Sequence, residues 1–356
     1  MSPARTLARP LVDAYTRRWQ PHSRLFLVGE DVRWSIDHDL RELAAMARRV
    51  GVRVAPVRLY GASRDQSVFY GSQFTLLREP WRAPPHRLGT AYFHGRPGTP
   101  GYPEFDECFR VLRRQHEQLD RIQVTHAEMR DLVLSSGIDP AKVFQIRIGV
   151  DVRAFEPRTE QARALARRRL GLPQSAFVVG SFQKDGVGWG DGMEPKLIKG
   201  PDVFVAAVAA ARERLPELHV LLSGPARGYV RRELERLGIP YRHRLAARYD
   251  DLACLYAALD AYIVPSRQEG GPKGVLEAMA SGVPVVSTQV GQAAELIHDG
   301  LNGRLVPVDE PDALADALLD PRLDEYACPG CETADANSYE AQLPLWRDFF
   351  RAFVDA

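Results

Sequence analysis

Glu269 and Glu277 stand on either side of the run GGPKGVL, and four of the chain's five lysines fall in two glycine-bearing stretches. Lys184, Lys196 and Lys199 lie in KDGVGWGDGMEPKLIKG, and Lys273 lies in GGPKG. A carboxylate can accept hydrogen bonds from two adjacent hydroxyls. A lysine offers a compact charge suited to a phosphate oxygen. The other basic residues are almost all arginine, so the clustering of lysines is informative. The plainer readings are surface charges, a helix cap at Glu269 and solvated lysines at a helix start. Gly186, Gly188, Gly190 and Gly192 remove side chains at alternate positions, which permits close backbone approach to a ligand or plain flexibility. The spacing fits neither a Walker loop nor a dinucleotide fingerprint. Trp189, at the centre, is placed to stack on a ring, or belongs to a disordered surface insert. His94 closes GTAYFH and can donate or accept at neutral pH. His126 in VTHAEM is a weaker candidate, and an ordinary loop histidine is the alternative for each.

Alternating strands and helices must position these groups. In the first half, strands are expected at Arg24 to Gly29, Val52 to Val57, SVFYGSQF, Gly89 to His94, Arg121 to His126 and Val143 to Gly149. Helices are expected at Asp37 to Val50 and Glu104 to Leu119. In the second half, AFVVGSF, LHVLLSG, DAYIVPS, VPVVST and NGRLVPV read as strands. Asp202 to Leu215, Val230 to Leu237, Val275 to Ala280 and Asp312 to Leu319 read as helices. This alternation predicts parallel sheets covered by helices, with ligands at the carboxyl ends of the strands. Glu269 then falls on a strand-to-helix loop and Glu277 inside the next helix. The expected domains are 1–152, 153–337 and a terminal helix, 338–356, that packs back on the first domain.

Bulk properties exclude several classes. The 356 residues suffice for two domains, and 45% are hydrophobic, enough for a core in each. A net charge of +1 favours neither nucleic acid nor an anionic membrane as main partner. The opening MSPARTLARPLVDAYTRRW lacks the apolar stretch of a signal peptide, and no run has the length of a membrane span. A cytoplasmic protein is expected. Cys328 and Cys331 form CPGC, but no second pair is spaced for structural zinc, and DEYA before them is no strand. A surface loop is expected there, with a disulfide or a metal site as alternatives.

The run YIVPSRQEGGPKGVLEAMASGVPVVSTQVGQAAELIHDGLNGRLVPVDEPDALADAL resembles the donor-binding core of the GT-B retaining glycosyltransferases of family 4. The flanks of the E-x7-E pair make the match specific: PS before it, then EAMASG, PVV and a later NG. RIGVDVRAF resembles the domain junction, with Ile148 where asparagine is more common, and VVGSF followed by LIKGPDVF resembles the phosphate-binding loop and helix. HVLLSG and DDLACLYAALD also fit, so the likeness runs from about Gln145 to Leu318.

The resemblance implies an α/β, GT-B fold: two Rossmann-like β/α/β domains facing across a cleft, with the C-terminal helix crossing back to the N-terminal domain. It implies a retaining transfer of sugar from a nucleotide-sugar donor to an acceptor hydroxyl. Glu277 would hold the ribose and Glu269 the transferred sugar. Lys199 in KGPDVF would hold phosphate, helped by backbone N–H groups at a helix start. Gly271, Pro272, Lys273 and Gly274 would line the donor, and His94 would position the sugar. Ser181 stands where the family usually has an arginine, and Lys184 is expected to take its role. Gly271 and Pro272 replace the usual aromatic residue and glycine. Arg33, Trp34, Pro84 and Pro85 are acceptor-side candidates, and Arg147 and Asp151 flank the junction, Asp151 in a structural role. No metal and no cofactor are expected, since lysines and helix N-termini can neutralise the diphosphate. The acceptor is a small molecule, a glycan or a lipid-linked species, with only weak peripheral membrane contact. The alternatives are a catalytically silent nucleotide-sugar-binding subunit and a nucleotide-sugar epimerase or hydrolase.

Overall fold

A computed structural model of the chain describes residues 24–29, 35–55, 66–75 and 86–354. Arg33, Trp34, Pro84 and Pro85 lie outside the described residues. The chain divides into two compact units, Met1–Ile148 with Gln342–Ala356, and Gly149–Ala341.

The first unit is built on a parallel six-stranded sheet. Its strands are β1 (Leu25–Val28), β2 (Val54–Ala55), β3 (Ser67–Tyr70), β4 (Arg87–Ala91), β5 (Arg121–Val124) and β6 (Val143–Gln145), in the order β2-β1-β3-β4-β5-β6. The strands are shorter than their apolar runs suggested: Tyr92 to His94 continue beyond β4 as loop. Of the apolar face expected for helix α1 (Ser35–Arg49), Leu43, Ala44 and Ala47 are buried and Leu40 partly so, and Met46 is buried beside them. Helix α2 (Pro103–Gln115) begins on proline and runs from acidic to basic residues, which suits its macrodipole. Helix α3 (Ala127–Leu134) follows β5.

The second unit has strands β7 (Phe177–Phe182), β8 (Leu218–Ser223), β9 (Tyr241–His243), β10 (Ala261–Val264), β11 (Val285–Thr288) and β12 (Arg304–Val306). They pair in parallel in the order β12-β11-β10-β7-β8-β9. Helices α4 (Glu160–Leu170), α5 (Pro201–Arg214), α6 (Gly228–Arg236), α7 (Leu252–Ala257), α8 (Lys273–Ala280), α9 (Ala293–Leu296) and α10 (Pro311–Leu318) alternate with them. The four central strands, β7, β8, β10 and β11, are almost wholly buried, as a parallel sheet covered on both faces requires. Strand order reverses between β7 and β10, so the loops leaving their carboxyl ends diverge and open a crevice there.

CPGC is not a surface loop. Leu323–Tyr326 forms a 3-10 turn that runs directly into α11 (Ala327–Ala336), with Cys328 and Cys331 in its first turns. Buried Leu323, Tyr326, Gly330 and Ala334 supply the reason, because they pack this segment onto the unit. Pro329 is tolerated because the first N–H groups of a helix lack intrahelical partners.

The last helix, α12 (Leu343–Phe350), belongs to the first unit. Phe349 meets Phe69 and Phe144 edge-on at 5.6 and 5.2 Å, and Arg121 donates to the Phe349 and Arg351 carbonyls. Ser67 Oγ donates to the Phe353 carbonyl.

Candidate functional site

The loops after β7 and β10 carry the predicted lysines and the first glutamate. The β7 loop ends at Lys199 and Gly200, where α5 begins. Gly200 has φ +61°, and a Cβ there would lie 2.0 Å from the Pro265 carbonyl oxygen. Only glycine allows that contact between the two loops. It brings Lys199 Nζ to 2.5 Å from Glu269 Oε2. Ser266 Oγ donates to Glu269 Oε1 at 3.0 Å, and Gln183 Nε2 donates to the Lys199 carbonyl at 3.0 Å. Arg267 fixes the same junction by a fork onto Asp202, with N–O distances of 2.8 and 2.7 Å.

Glu269 lies on the loop and Glu277 in α8. Glu277 is buried and accepts the Tyr256 hydroxyl at 2.8 Å and the Tyr249 hydroxyl on its other oxygen. Burial, with the Glu277 charge added, holds the Tyr256 hydroxyl well above its ordinary range, so it remains a donor. Gly274 lets α8 approach β10, since a Cβ there would fall 2.2 Å from the Tyr262 hydroxyl. Lys273 Nζ lies 5.0 Å over the Tyr249 ring and 3.3 Å from the Tyr339 hydroxyl. Gly291, at φ +49°, packs against the Glu269 and Gly270 carbonyls, and Gln292 N–H donates to the latter.

The glycine-rich stretch is an ordered loop. Gly186 bridges Pro195, and Gly228 and Tyr229 at the start of α6 donate to the Asp191 and Gly192 carbonyls. A Cβ on Gly186 or Gly192 would strike the Ala226 carbonyl oxygen at 2.4 or 2.1 Å. Beneath the loop, Arg227 is fully buried, donates to the Ser181 hydroxyl and pairs with buried Asp185 at 2.9 Å. Burial pushes the Asp185 carboxyl up, and Arg227 opposes the shift. Lys184 donates to the Gly186 carbonyl, and its ammonium lies 4.9 Å over the half-exposed Trp189 ring. Burial lowers the Lys184 ammonium, Asp185 opposes that, and the nearby Lys199 charge adds to it.

The structure thus brings Lys184, Lys199, Glu269 and Gly270 to Glu277 together at one switch point. His94 lies in the first unit, packed edge-on against Phe74 and Phe105. His126 is buried beside Thr125 at the start of α3. Sequence reasoning missed Tyr249, Tyr256, Ser266 and Arg227. Tyr256 lay inside the matched run DDLACLYAALD, the one signal that could have found it.

A family model described as "Glycosyl transferases group 1" matches residues 191–321. The second unit belongs to that family. The group 1 glycosyltransferase resemblance extends further in curated relatives. The chain is 32% identical over 294 residues to D-inositol 3-phosphate glycosyltransferase of Corynebacterium urealyticum, covering 77% of this chain and 66% of that one. Against the Salinispora tropica protein of the same name it is 36% identical over 210 residues, covering 54% and 42%. The chain therefore matches about two fifths to two thirds of the length of these relatives. Among solved structures, Anabaena HepE in complex with UDP-glucose matches with a TM-score of 0.72 and 17% identity, over 93% of this chain and 100% of that one. Sucrose-phosphate synthase of Thermosynechococcus elongatus matches with a TM-score of 0.69 and 19% identity, over the same shares. The fold is GT-B, with two parallel six-stranded sheets covered by helices. Among the described residues, no helix is long and apolar enough to cross a membrane.

Proposed function

We propose that this protein transfers a sugar from a nucleoside diphosphate sugar to an acceptor hydroxyl, with retention at the anomeric carbon and release of nucleoside diphosphate. The observation that carries the reading is the Lys199–Glu269 contact beside the start of α5, with Glu277 in α8, the helix that follows the Glu269 loop. It sets a phosphate-type cation next to a hydroxyl-type acceptor. Glu277, steadied by two tyrosines, takes the ribose hydroxyls through its remaining lone pairs. Lys199 and Lys184 take the diphosphate, with the backbone N–H groups of Gly271, Lys273 and Gly274 beside them. Glu269 takes hydroxyls of the transferred sugar, and His94 positions that sugar from the acceptor side.

The bond from the anomeric carbon to the phosphate oxygen breaks as the acceptor oxygen bonds on the same face. The acceptor's proton passes to the departing phosphate, so no protein nucleophile is used. The HepE complex with UDP-glucose favours a uridine donor, and the names of the curated relatives make an inositol phosphate the first acceptor to try. A cytoplasmic setting fits such soluble substrates.

A panel of UDP-sugars with inositol phosphates tests the reading, with proton NMR of the product's anomeric signal. Release of UDP coupled to a product of the donor's own anomeric configuration is expected. An inverted product would overturn retention. Donor binding without turnover would instead favour a silent subunit, a reading motivated by Ser181, which is buried and held by Arg227.

A further inference from the structure

Cys328 and Cys331 are spaced i, i+3 at the start of α11, so they share one face of the helix. Cys328 is exposed and Cys331 is partly covered. The Cys331 thiol donates to the Met279 carbonyl at 3.2 Å. Burial pushes this thiol up, and Cys328 and Asp335 add to the shift, which favours the donating S–H form until the thiol gives up its proton on attack. Met279 lies in the last turn of α8, the helix that carries Glu277. Its carbonyl also accepts the Gly282 N–H at 3.0 Å, while Ser281 N–H donates to the Glu277 carbonyl. The two helices meet at Gly330, where even a Cβ would lie at van der Waals contact, 3.4 Å from Met279 Cγ.

Residues three apart on a helix have Cβ atoms about 5–6 Å apart. A disulfide needs roughly 3.5–4.5 Å. Closing one therefore demands a local tightening of the first turn. Pro329 and Gly330 make that turn permissive, because one has no N–H to lose and the other no side chain to displace.

We infer that Cys328 and Cys331 are a thiol–disulfide exchange site acting on the end of the helix that carries Glu277. The co-reactant is a low-molecular-weight disulfide. Exposed Cys328 attacks it as thiolate, forming a mixed disulfide and expelling one thiol. Cys331 then attacks the Cys328 sulfur and expels the second thiol. Two cysteine thiols are oxidised to one disulfide, the reagent is reduced to two thiols, and the two protons pass to the leaving thiolates. The internal bond withdraws the Cys331 S–H from the Met279 carbonyl and loosens the end of α8. The exchange itself stands independently of the proposed sugar transfer, whereas its effect on donor affinity rests on that reading.

The full chain is treated with excess oxidised glutathione and followed by intact mass and peptide mapping. The unsubstituted protein should lose two hydrogens within the Cys328–Cys331 peptide. C331S should hold glutathione at Cys328, and C328S should react at least ~10-fold more slowly. Failure to close the internal disulfide, or faster modification of Cys254, would overturn the site. Closure should lower the melting temperature, reversibly with dithiothreitol and not in C331S, and raise the KM for UDP-sugar ~3-fold. A disulfide that changes neither quantity would overturn the coupling to α8. A melting shift in a protein that binds no UDP-sugar in either form would uphold the coupling and overturn the donor reading.

Discussion

Tyr256 gives Glu277 a donor that burial has made permanent, since its hydroxyl cannot ionise in the working pH range. Tyr256→Phe should leave one carboxylate oxygen short of its partner without creating a large cavity. A hydrogen bond to a charged group is worth about 1.5–3 kcal/mol, so the donor KM should rise about tenfold or more with kcat little changed. Steady-state kinetics across a UDP-sugar series check this, and a fall confined to kcat would count against ribose binding by Glu277. Lys199→Ala removes the cation beside Glu269, and kcat should fall about 10²–10³-fold, as for loss of a group that stabilises departing charge. Single-turnover rates separate that loss from slower product release. The glutamates and Lys199 were legible because their flanking residues are patterned in the chain itself. Tyr249 was not, because it becomes a partner only when distant segments meet, and Ser266, three residues before Glu269, was legible only as a flank of the pair.

Arg267 holds the β10 loop to the start of α5 through Asp202. Partial burial alone would raise the Asp202 carboxyl, but the Arg267 hydrogen bonds and charge outweigh it and leave it below the ordinary range. A depressed carboxylate contributes stability that is fully present above its unfolded pKa, near 4, and is lost as pH falls through the folded value. Asp202→Asn should therefore lower the urea midpoint at pH 7, with the difference shrinking as pH falls below about 4 through the depressed folded value. A difference that persists undiminished in acid would assign the effect to packing. Gly200→Ala should cost more, since φ +61° and the Pro265 carbonyl both oppose a side chain. A drop in melting temperature of several degrees is expected, read by scanning calorimetry. At this scale the β/α alternation was readable from apolar runs. Helix α11 was not, because proline and glycine in CPGC punctuate a sequence as a loop does, while Gly330 and Ala334 reveal their buried face only in three dimensions.

The first unit is discontinuous, and its sheet is covered by the last described residues. Trp346, Phe349, Phe350 and Phe353 are buried there. Deleting 342–356 should expose Phe69 and its neighbours, so thermal unfolding should split, with the first unit melting early and the second near its usual temperature. Dye binding to exposed apolar surface checks it, and a single unshifted transition would show the segment to be dispensable. The same wrapping of Phe349 and Phe353 onto β3 and β4 bears on synthesis. The strands of the first sheet leave the ribosome early, yet their closing residues follow only after Gly149–Ala341 has been made. At about 5–20 residues per second that is a wait of roughly ten to forty seconds. The unit translated second can fold first, and the nascent first sheet is the segment that most needs a chaperone.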